Sequence, residues 1–139
     1  MTRKRLLIIL LILSFFACTT GCGNQVKVKG RVTFAEDGSP LTTGTVCFET
    51  TGHTARGFLD KNGCYQLTSI KENDGVPPGN YKVFIEGALE PAGNDKLGMA
   101  VKVAIVDRKY TDPTNPAYTF EVNSSNKVFD FTIERIKKK

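Results

Sequence analysis

The stretch Gln25-Val26-Lys27-Val28-Lys29-Gly30-Arg31-Val32-Thr33-Phe34 alternates between two kinds of residue. One set consists of valines, a glycine and a phenylalanine, and the other set is basic or polar. An alternation with period two is typical of a strand that buries one face and exposes the other, because successive side chains point to opposite sides. This stretch therefore predicts a half-buried strand.

The same pattern recurs along the chain and predicts further strands at 45–50, 55–60, 64–69, 81–86, 99–106, 118–122 and 128–136. Turn signals separate them at a spacing of about ten residues. We expect these residues to point inward: Val46, Phe48, Tyr65, Leu67, Tyr81, Val83 and Ile85. Segments 87–98 and 107–117 predict loops, and Val128 is out of phase with Phe129, which predicts a bulge or register change. About seven to eight short strands without a helix predict an all-β, antiparallel β-sandwich.

The N-terminus has a different composition. A basic cluster at Arg3-Lys4-Arg5 precedes Leu6–Phe16, eleven residues in which only Ser14 is polar. Small and polar residues follow, an order typical of a secretory signal. The alternative is a transmembrane anchor, but crossing the hydrocarbon core takes about 20 apolar residues. Residues 1–21 are therefore predicted to be a signal helix that is removed after export.

The end of this segment, Thr19-Thr20-Gly21-Cys22, resembles the lipobox of bacterial lipoprotein signal peptides. The resemblance implies that Cys22 carries a diacylglycerol thioether, becomes the first residue after cleavage and is N-acylated. Thr19 departs from the lipobox pattern, in which leucine is usual at this position. Cys18 is an alternative lipidation site, but the residues before it fit the pattern less well. The alternative is conventional cleavage and secretion without lipid.

Four parts follow from these boundaries: a signal peptide at 1–21, a lipidated tether at 22–25, one domain at 26–136 and a basic tail at 137–139. The mature part has 118 residues, enough to bury a core without obligatory disulfides. It keeps 16 basic and 14 acidic residues, a formal charge of +2. No basic stripe with interleaved aromatic residues occurs, so we expect no nucleic-acid partner.

A series of short motifs resembles the carboxypeptidase regulatory-like domain, a transthyretin-like and Ig-like β-sandwich. The motifs, in order, are Val28–Val32, Asp37–Leu41, Gly44–Phe48, Asp60–Tyr65 and Pro78–Val83. The chain also resembles small bacterial lipoproteins that consist of a signal and one such domain, in which a segment like Lys109–Pro113 precedes two final strands. The resemblance implies a binding or structural module rather than an enzyme.

Candidate catalytic residues are few. His53 is the single histidine, whereas a catalytic zinc site normally uses three protein ligands. The hydrolase with a transthyretin-like fold relies on several histidines and on a C-terminal sequence that this chain lacks. Hydrolase activity is therefore the less favoured alternative. We expect His53 to be a solvated loop residue and Asp60-Lys61-Asn62-Gly63 to be a turn rather than a calcium loop. The sequence predicts no catalytic residue, no metal site and no cofactor.

Cys47 and Cys64 form a candidate disulfide, because export places both in an oxidising compartment. Val46 and Phe48 point inward, so Cys47 is expected to point outward, and the same reasoning applies to Cys64. A bridge requires the two Cα atoms to lie within about 7 Å. The alternative is two separate thiols, which is expected if the strands belong to opposite sheets.

These expectations combine into a membrane-anchored lipoprotein of the cell envelope, on the periplasmic or outer-membrane face. Its partners would be membrane lipid, through Cys22, and an envelope protein or polysaccharide. The loops 87–98 and 107–117, with Tyr110 and Tyr118, are the candidate recognition surface, although such tyrosines are more often core residues. A secreted carrier or adhesion domain is the alternative, and the sequence leaves the oligomeric state open.

Overall fold

The computed structural model describes residues 24–72 and 74–137, so residues 1–21 and Cys22 lie outside its description. The regular secondary structure of the described chain consists of strands, apart from one 3₁₀ turn at Arg108–Tyr110. The predicted all-β fold is confirmed, with nine strands: β1 Lys29–Phe34, β2 Thr45–Thr50, β3 His53–Phe58, β4 Cys64–Gln66, β5 Gly79–Glu86, β6 Leu89–Asn94, β7 Ala100–Ala104, β8 Tyr118–Val122 and β9 Phe131–Ile133.

The strands form two sheets and a separate hairpin. The four-stranded sheet has the order β3-β2-β5-β8, the three-stranded sheet has the order β4-β1-β9, and β6 pairs with β7 alone. Every pair is antiparallel except β1 and β9, where Val32 lies opposite Phe131 in a parallel register. The predicted antiparallel β-sandwich is confirmed, and the pairing of β1 with β9 is its one parallel exception among the described strands.

The hydrophobic core lies between the two sheets. Phe48 of β2 stands at its centre, and its ring centroid lies within 5.9 to 6.2 Å of four other aromatic rings, those of Tyr65, Tyr81, Phe120 and Phe129. All seven residues expected to point inward are buried. The alternation in the sequence therefore identified the core-facing side of the central strands.

Segment 87–98 was predicted as a loop, and this prediction is wrong, since β6 occupies Leu89–Asn94. Its pairing with β7 shifts register between Pro91 and Asn94, where Gly93 has a φ of 91°. Proline and glycine count against a strand in sequence, yet both are tolerated at an edge strand with a bulge. The strand predicted at 99–106 is present as β7.

Segment 128–136 contains only the three-residue strand β9. Val128 is exposed while Phe129 is buried, and an irregular stretch separates them from β9, as the phase change predicted. The carboxylate of Asp130 accepts a hydrogen bond of 2.8 Å from the backbone N–H of Arg31. A side chain thus replaces one backbone acceptor where the ladder is interrupted.

Candidate functional site

His53 is the first residue of β3 and is half-buried, not a solvated loop residue as predicted. Its Nε2 lies 3.0 Å from the hydroxyl oxygen of Ser69, and its ring meets that of Tyr81 edge-on at 6.3 Å. A serine–histidine contact is one component of a nucleophilic site. The two residues come from separate segments, so no local motif in the sequence indicates the contact.

The groups around this serine are engaged in structure. The Asp74 carboxylate accepts hydrogen bonds of 2.7, 2.8 and 2.9 Å from the backbone N–H groups of Ser69, Ile70 and Lys71. These bonds, above all that from Lys71, lower the pKa of Asp74. Backbone N–H groups beside a nucleophile would have to be free to stabilise an oxyanion. Here they hold a carboxylate, so the arrangement fastens a loop and is not built for acyl transfer.

Cys47 lies on the outward-facing register of β2, opposite Arg56 and Phe84, yet it is fully buried. The ion pair between Arg56 and Glu86, with an N–O distance of 3.6 Å, lies on the same side of the sheet. Burial, with a smaller contribution from the Glu86 carboxylate, raises the pKa of the Cys47 thiol to about 12. Cys47 thus points outward as expected, but its side chain is covered, and at neutral pH the thiol remains protonated and weakly nucleophilic.

Cys64 is exposed at the start of β4, in the three-stranded sheet, while Cys47 lies in the four-stranded sheet. Both thiols are free. The candidate disulfide is therefore not formed, because outward side chains of two facing sheets point away from each other. The structure matches the alternative of two separate thiols.

A cleft of about 550 Å³ opens over β1 and β4, beside Cys64. Its walls combine two exposed apolar side chains, Phe58 and Val128, with charges of both signs from Lys29, Arg31, Asp60 and Asp130. A concave surface that mixes apolar contact with a few polar groups is the usual form of a ligand site. Sequence reasoning missed this cleft, because its walls come from segments far apart in the chain.

Several polar groups of this cleft are already bonded to the domain itself. The Asp60 carboxylate accepts hydrogen bonds of 2.8 Å from the backbone N–H groups of Asn62 and Cys64, which makes 60–63 the predicted turn. The Tyr65 hydroxyl donates to the carbonyl of Phe129 at 2.9 Å, and burial raises the pKa of this phenol. The cleft can therefore offer shape and charge, whereas its acids and phenol have structural tasks.

Tyr110 and Tyr118, the tyrosines of the predicted recognition loops, pack against each other with ring centroids 6.0 Å apart. Tyr110 is buried, and the Tyr118 hydroxyl donates to the carbonyl of Thr132 at 2.6 Å. Both tyrosines are part of the packed structure. They do not form an open aromatic platform.

Within residues 24–72 and 74–137, no cluster of three or more histidine, cysteine or acidic side chains could hold a metal ion. Over the same part of the chain, no helix is long and apolar enough to span a bilayer.

Comparison with known proteins gives limited similarity. No protein-family model matches the chain, and no curated protein matches it. Among solved structures, the chain is similar to the major pilin subunit of Bacillus cereus, with 16% identity and a TM-score of 0.48, over 81% of this chain and 30% of that one. It is also similar to a 9R-lipoxygenase from Cyanothece, with 18% identity and a TM-score of 0.34, over 77% of this chain and 16% of that one. The chain thus spans less than a third of either protein, and similarity at this level does not carry function across.

Proposed function

We propose that this chain is a lipoprotein of the cell envelope, anchored through acylated Cys22, whose β-sandwich binds a partner and does not catalyse a reaction. The N-terminal pattern supports export, and the motifs quoted above support a domain of the carboxypeptidase regulatory-like kind. Such a domain would act by holding or presenting a surface beside a membrane.

The observation that carries the proposal is the position at which the folded domain begins. Val26 is buried, and it exchanges backbone hydrogen bonds of 2.7 and 2.9 Å with Val76. Val26 follows Cys22 by four residues, a distance of at most about 14 Å in extended chain. A lipid on Cys22 would therefore hold this end of the sandwich at the membrane surface.

The cleft over β1 and β4 supports a binding role. It is large enough to hold part of a polysaccharide or a peptide, and Phe58 at its rim is 78% exposed. An apolar side chain this exposed beside opposite charges is suited to contact with a partner surface. The carboxylates and the phenol in its walls are held by backbone groups, which favours recognition over chemistry.

Lipid attachment is tested by mass spectrometry of the N-terminal peptide, together with labelling by radioactive palmitate. We expect label and an acylated Cys22 in the wild type, no label in Cys22→Ser and full label in Cys18→Ser, the matched control. Two acyl chains or more are needed for stable anchoring, so Cys22→Ser should also move to the soluble fraction. A free amino terminus at Gly23 or beyond would instead establish the secreted alternative.

The binding role is tested by a photo-crosslinking residue at position 58 in the cell envelope. The control is the same residue at Ile70, which is 88% exposed but lies outside the cleft. We expect an adduct with an envelope protein or polysaccharide from position 58 and none from position 70. Equal adducts from both positions, or none from either, would contradict a role for this cleft.

A further inference from the structure

The β6–β7 hairpin lies apart from both sheets, and its eleven strand residues are exposed or half-buried. A two-stranded hairpin gains little stability from its own pairing, and three or more strands are usually needed. On β7, Val101 and Val103 point to the same side and remain more than a third exposed, at 36% and 39%. This apolar surface is therefore not covered by the core of the domain.

The two edges of the hairpin differ. On β6, the Thr43 hydroxyl bonds both backbone groups of Leu89, donating to its carbonyl at 3.0 Å and accepting from its N–H at 3.3 Å. Two residues later, Pro91 has no N–H to offer. A proline and a bulge are devices that keep an edge strand from pairing with another chain. The outer edge of β6 is therefore closed.

The outer edge of β7 is open. The Ile105 N–H donates to the Ala88 carbonyl at 3.2 Å, and the Met99 carbonyl accepts from the Asp95 N–H at 2.9 Å. Because backbone groups alternate in direction along a strand, the odd-numbered residues of β7 face β6. The even-numbered ones, Ala100, Lys102 and Ala104, direct their N–H and C=O groups outward. Among the described segments, only β6 pairs with β7.

We propose that the free edge of β7 binds an extended segment of another protein by strand addition, with an acidic residue of that segment beside Lys102. A row of alternating N–H and C=O groups is complemented by another extended backbone, which supplies the affinity. Lys102 is the only charged residue on β7, so it sets the charge preference of the edge.

A groove of about 370 Å³ lies at the C-terminal end of β7, where Ala104 belongs to the outward-facing set; it is lined by Glu90, Val103, Ala104, Ile105, Arg135 and Ile136. The added strand would cover Val101 and Val103 and turn the hairpin into a three-stranded sheet. The stability that the hairpin lacks alone would then come from the partner.

A second copy of this chain is a poorer occupant. The strand reads Ala-Val-Lys-Val-Ala, the same in both directions about Lys102. Two copies paired antiparallel about this centre would place Lys102 directly opposite Lys102, and like charges in that position are destabilising. Lys102 thus favours an acidic partner and opposes self-association.

The position of the hairpin fits this role. β1 and β5 both begin near the Val26–Val76 contact and both run away from it, and the hairpin follows directly after β5. If Cys22 is anchored as proposed above, the hairpin follows the end of β5 that is distant from the anchored end of the domain. The strand-addition site itself does not depend on the anchor.

The experiment is titration calorimetry of the purified protein with two seven-residue peptides. In both, threonine and valine alternate around a central residue, which is glutamate in one and lysine in the other. The wild type should bind the glutamate peptide about fivefold more tightly than the lysine peptide, and Lys102→Glu should reverse the order. Light scattering should show a monomeric wild type at the same concentrations.

The backbone contribution is tested by Ala104→Pro, which removes an outward N–H, against Ala104→Thr, which retains it. Ala104→Pro should abolish binding of both peptides while its circular dichroism and melting temperature remain those of Ala104→Thr. Absence of peptide binding by the wild type, equal binding of both peptides, or binding unaffected by Ala104→Pro would overturn the proposal. A wild-type dimer that Ala104→Pro dissociates would also overturn it, because the occupant would then be a second copy.

Discussion

The Tyr65 hydroxyl donates a 2.9 Å hydrogen bond to the carbonyl of Phe129 across the three-stranded sheet. Tyr65 belongs to β4, Phe129 precedes β9, and β1 lies between them. The bond therefore joins the two outer parts of this sheet over its central strand. Both residues are buried, so water does not compete for the carbonyl.

Replacement of Tyr65 by phenylalanine removes the hydroxyl donor and leaves the buried carbonyl of Phe129 without this hydrogen bond. We expect the free energy of unfolding to fall by about 1 to 3 kcal/mol. Urea denaturation followed by circular dichroism measures the change. Tyr118→Phe is the control, because its hydroxyl donates to the more exposed carbonyl of Thr132, and the expected loss is smaller. Equal losses in both variants would contradict the importance of burial.

Gly30 lies in β1 directly below the same carbonyl. A Cβ built at this position would lie 1.8 Å from the Phe129 oxygen and 2.8 Å from the Tyr65 hydroxyl. Since backbone has to move to make room, we expect Gly30→Ala to cost more than about 3 kcal/mol or to prevent folding.

Gly79→Ala serves as the control for this effect. A Cβ at Gly79 has its nearest neighbour at 3.8 Å, an ordinary contact, so the variant should differ from the wild type by less than about 1 kcal/mol. Thermal unfolding compares the two variants. A Gly30→Ala protein as stable as Gly79→Ala would show that the carbonyl can shift freely.

The two thiols should differ in reactivity. A maleimide reagent at pH 7 should modify Cys64 within minutes and leave Cys47 intact until the protein unfolds, because Cys64 is exposed and Cys47 is buried. Mass spectrometry of peptides from native and denatured protein gives the modified residue. Thiol counting on denatured, unreduced mature protein should detect both. Loss of both thiols from the count would demonstrate a bridge that the structure does not contain.

The raised pKa of Cys47 also predicts a pH dependence. In the unfolded chain the thiol ionises near its ordinary pKa of 9.0, and in the folded domain only near 12. Below pH 9 both states hold the proton, so the contribution to stability is fully present there, and above pH 9 it falls because only the unfolded state releases the proton. Cys47→Ala should lose less stability than the wild type between pH 8 and pH 10.5. Parallel curves for the two proteins would argue against this burial.

The sequence correctly predicted the strands whose side chains alternate between a buried and an exposed face. The alternation in 25–34 and 81–86 gave the correct inward faces because each of those strands packs on the core. Val101 and Val103 alternate in the same way, yet they are exposed, because the pattern records that one face is apolar but does not identify what covers it. The nearby strand β6 was missed since Pro91 and Gly93 are acceptable only at an edge.

The candidate sites were harder to predict than the fold. The cleft beside Cys64, the Ser69–His53 contact and the open edge of β7 each join segments that are distant in the sequence. The outward direction of Cys47 was correctly predicted, but the sequence did not indicate that the outer face of its sheet is covered at that point. The acylation of Cys22 remains a prediction.

The parallel pairing of β1 with β9 has a consequence for how the domain is made. The backbone of Arg31 is held by Asp130, 99 residues later, and β1 is the central strand of its sheet. Contacts of such long sequence separation form slowly, because the entropy of closing the loop must be lost first. During synthesis, one edge of β1 therefore stays unpaired until Phe131–Ile133 has been made. A chain released before Phe131 would carry this edge permanently, so truncated products should aggregate or be degraded instead of forming a smaller domain.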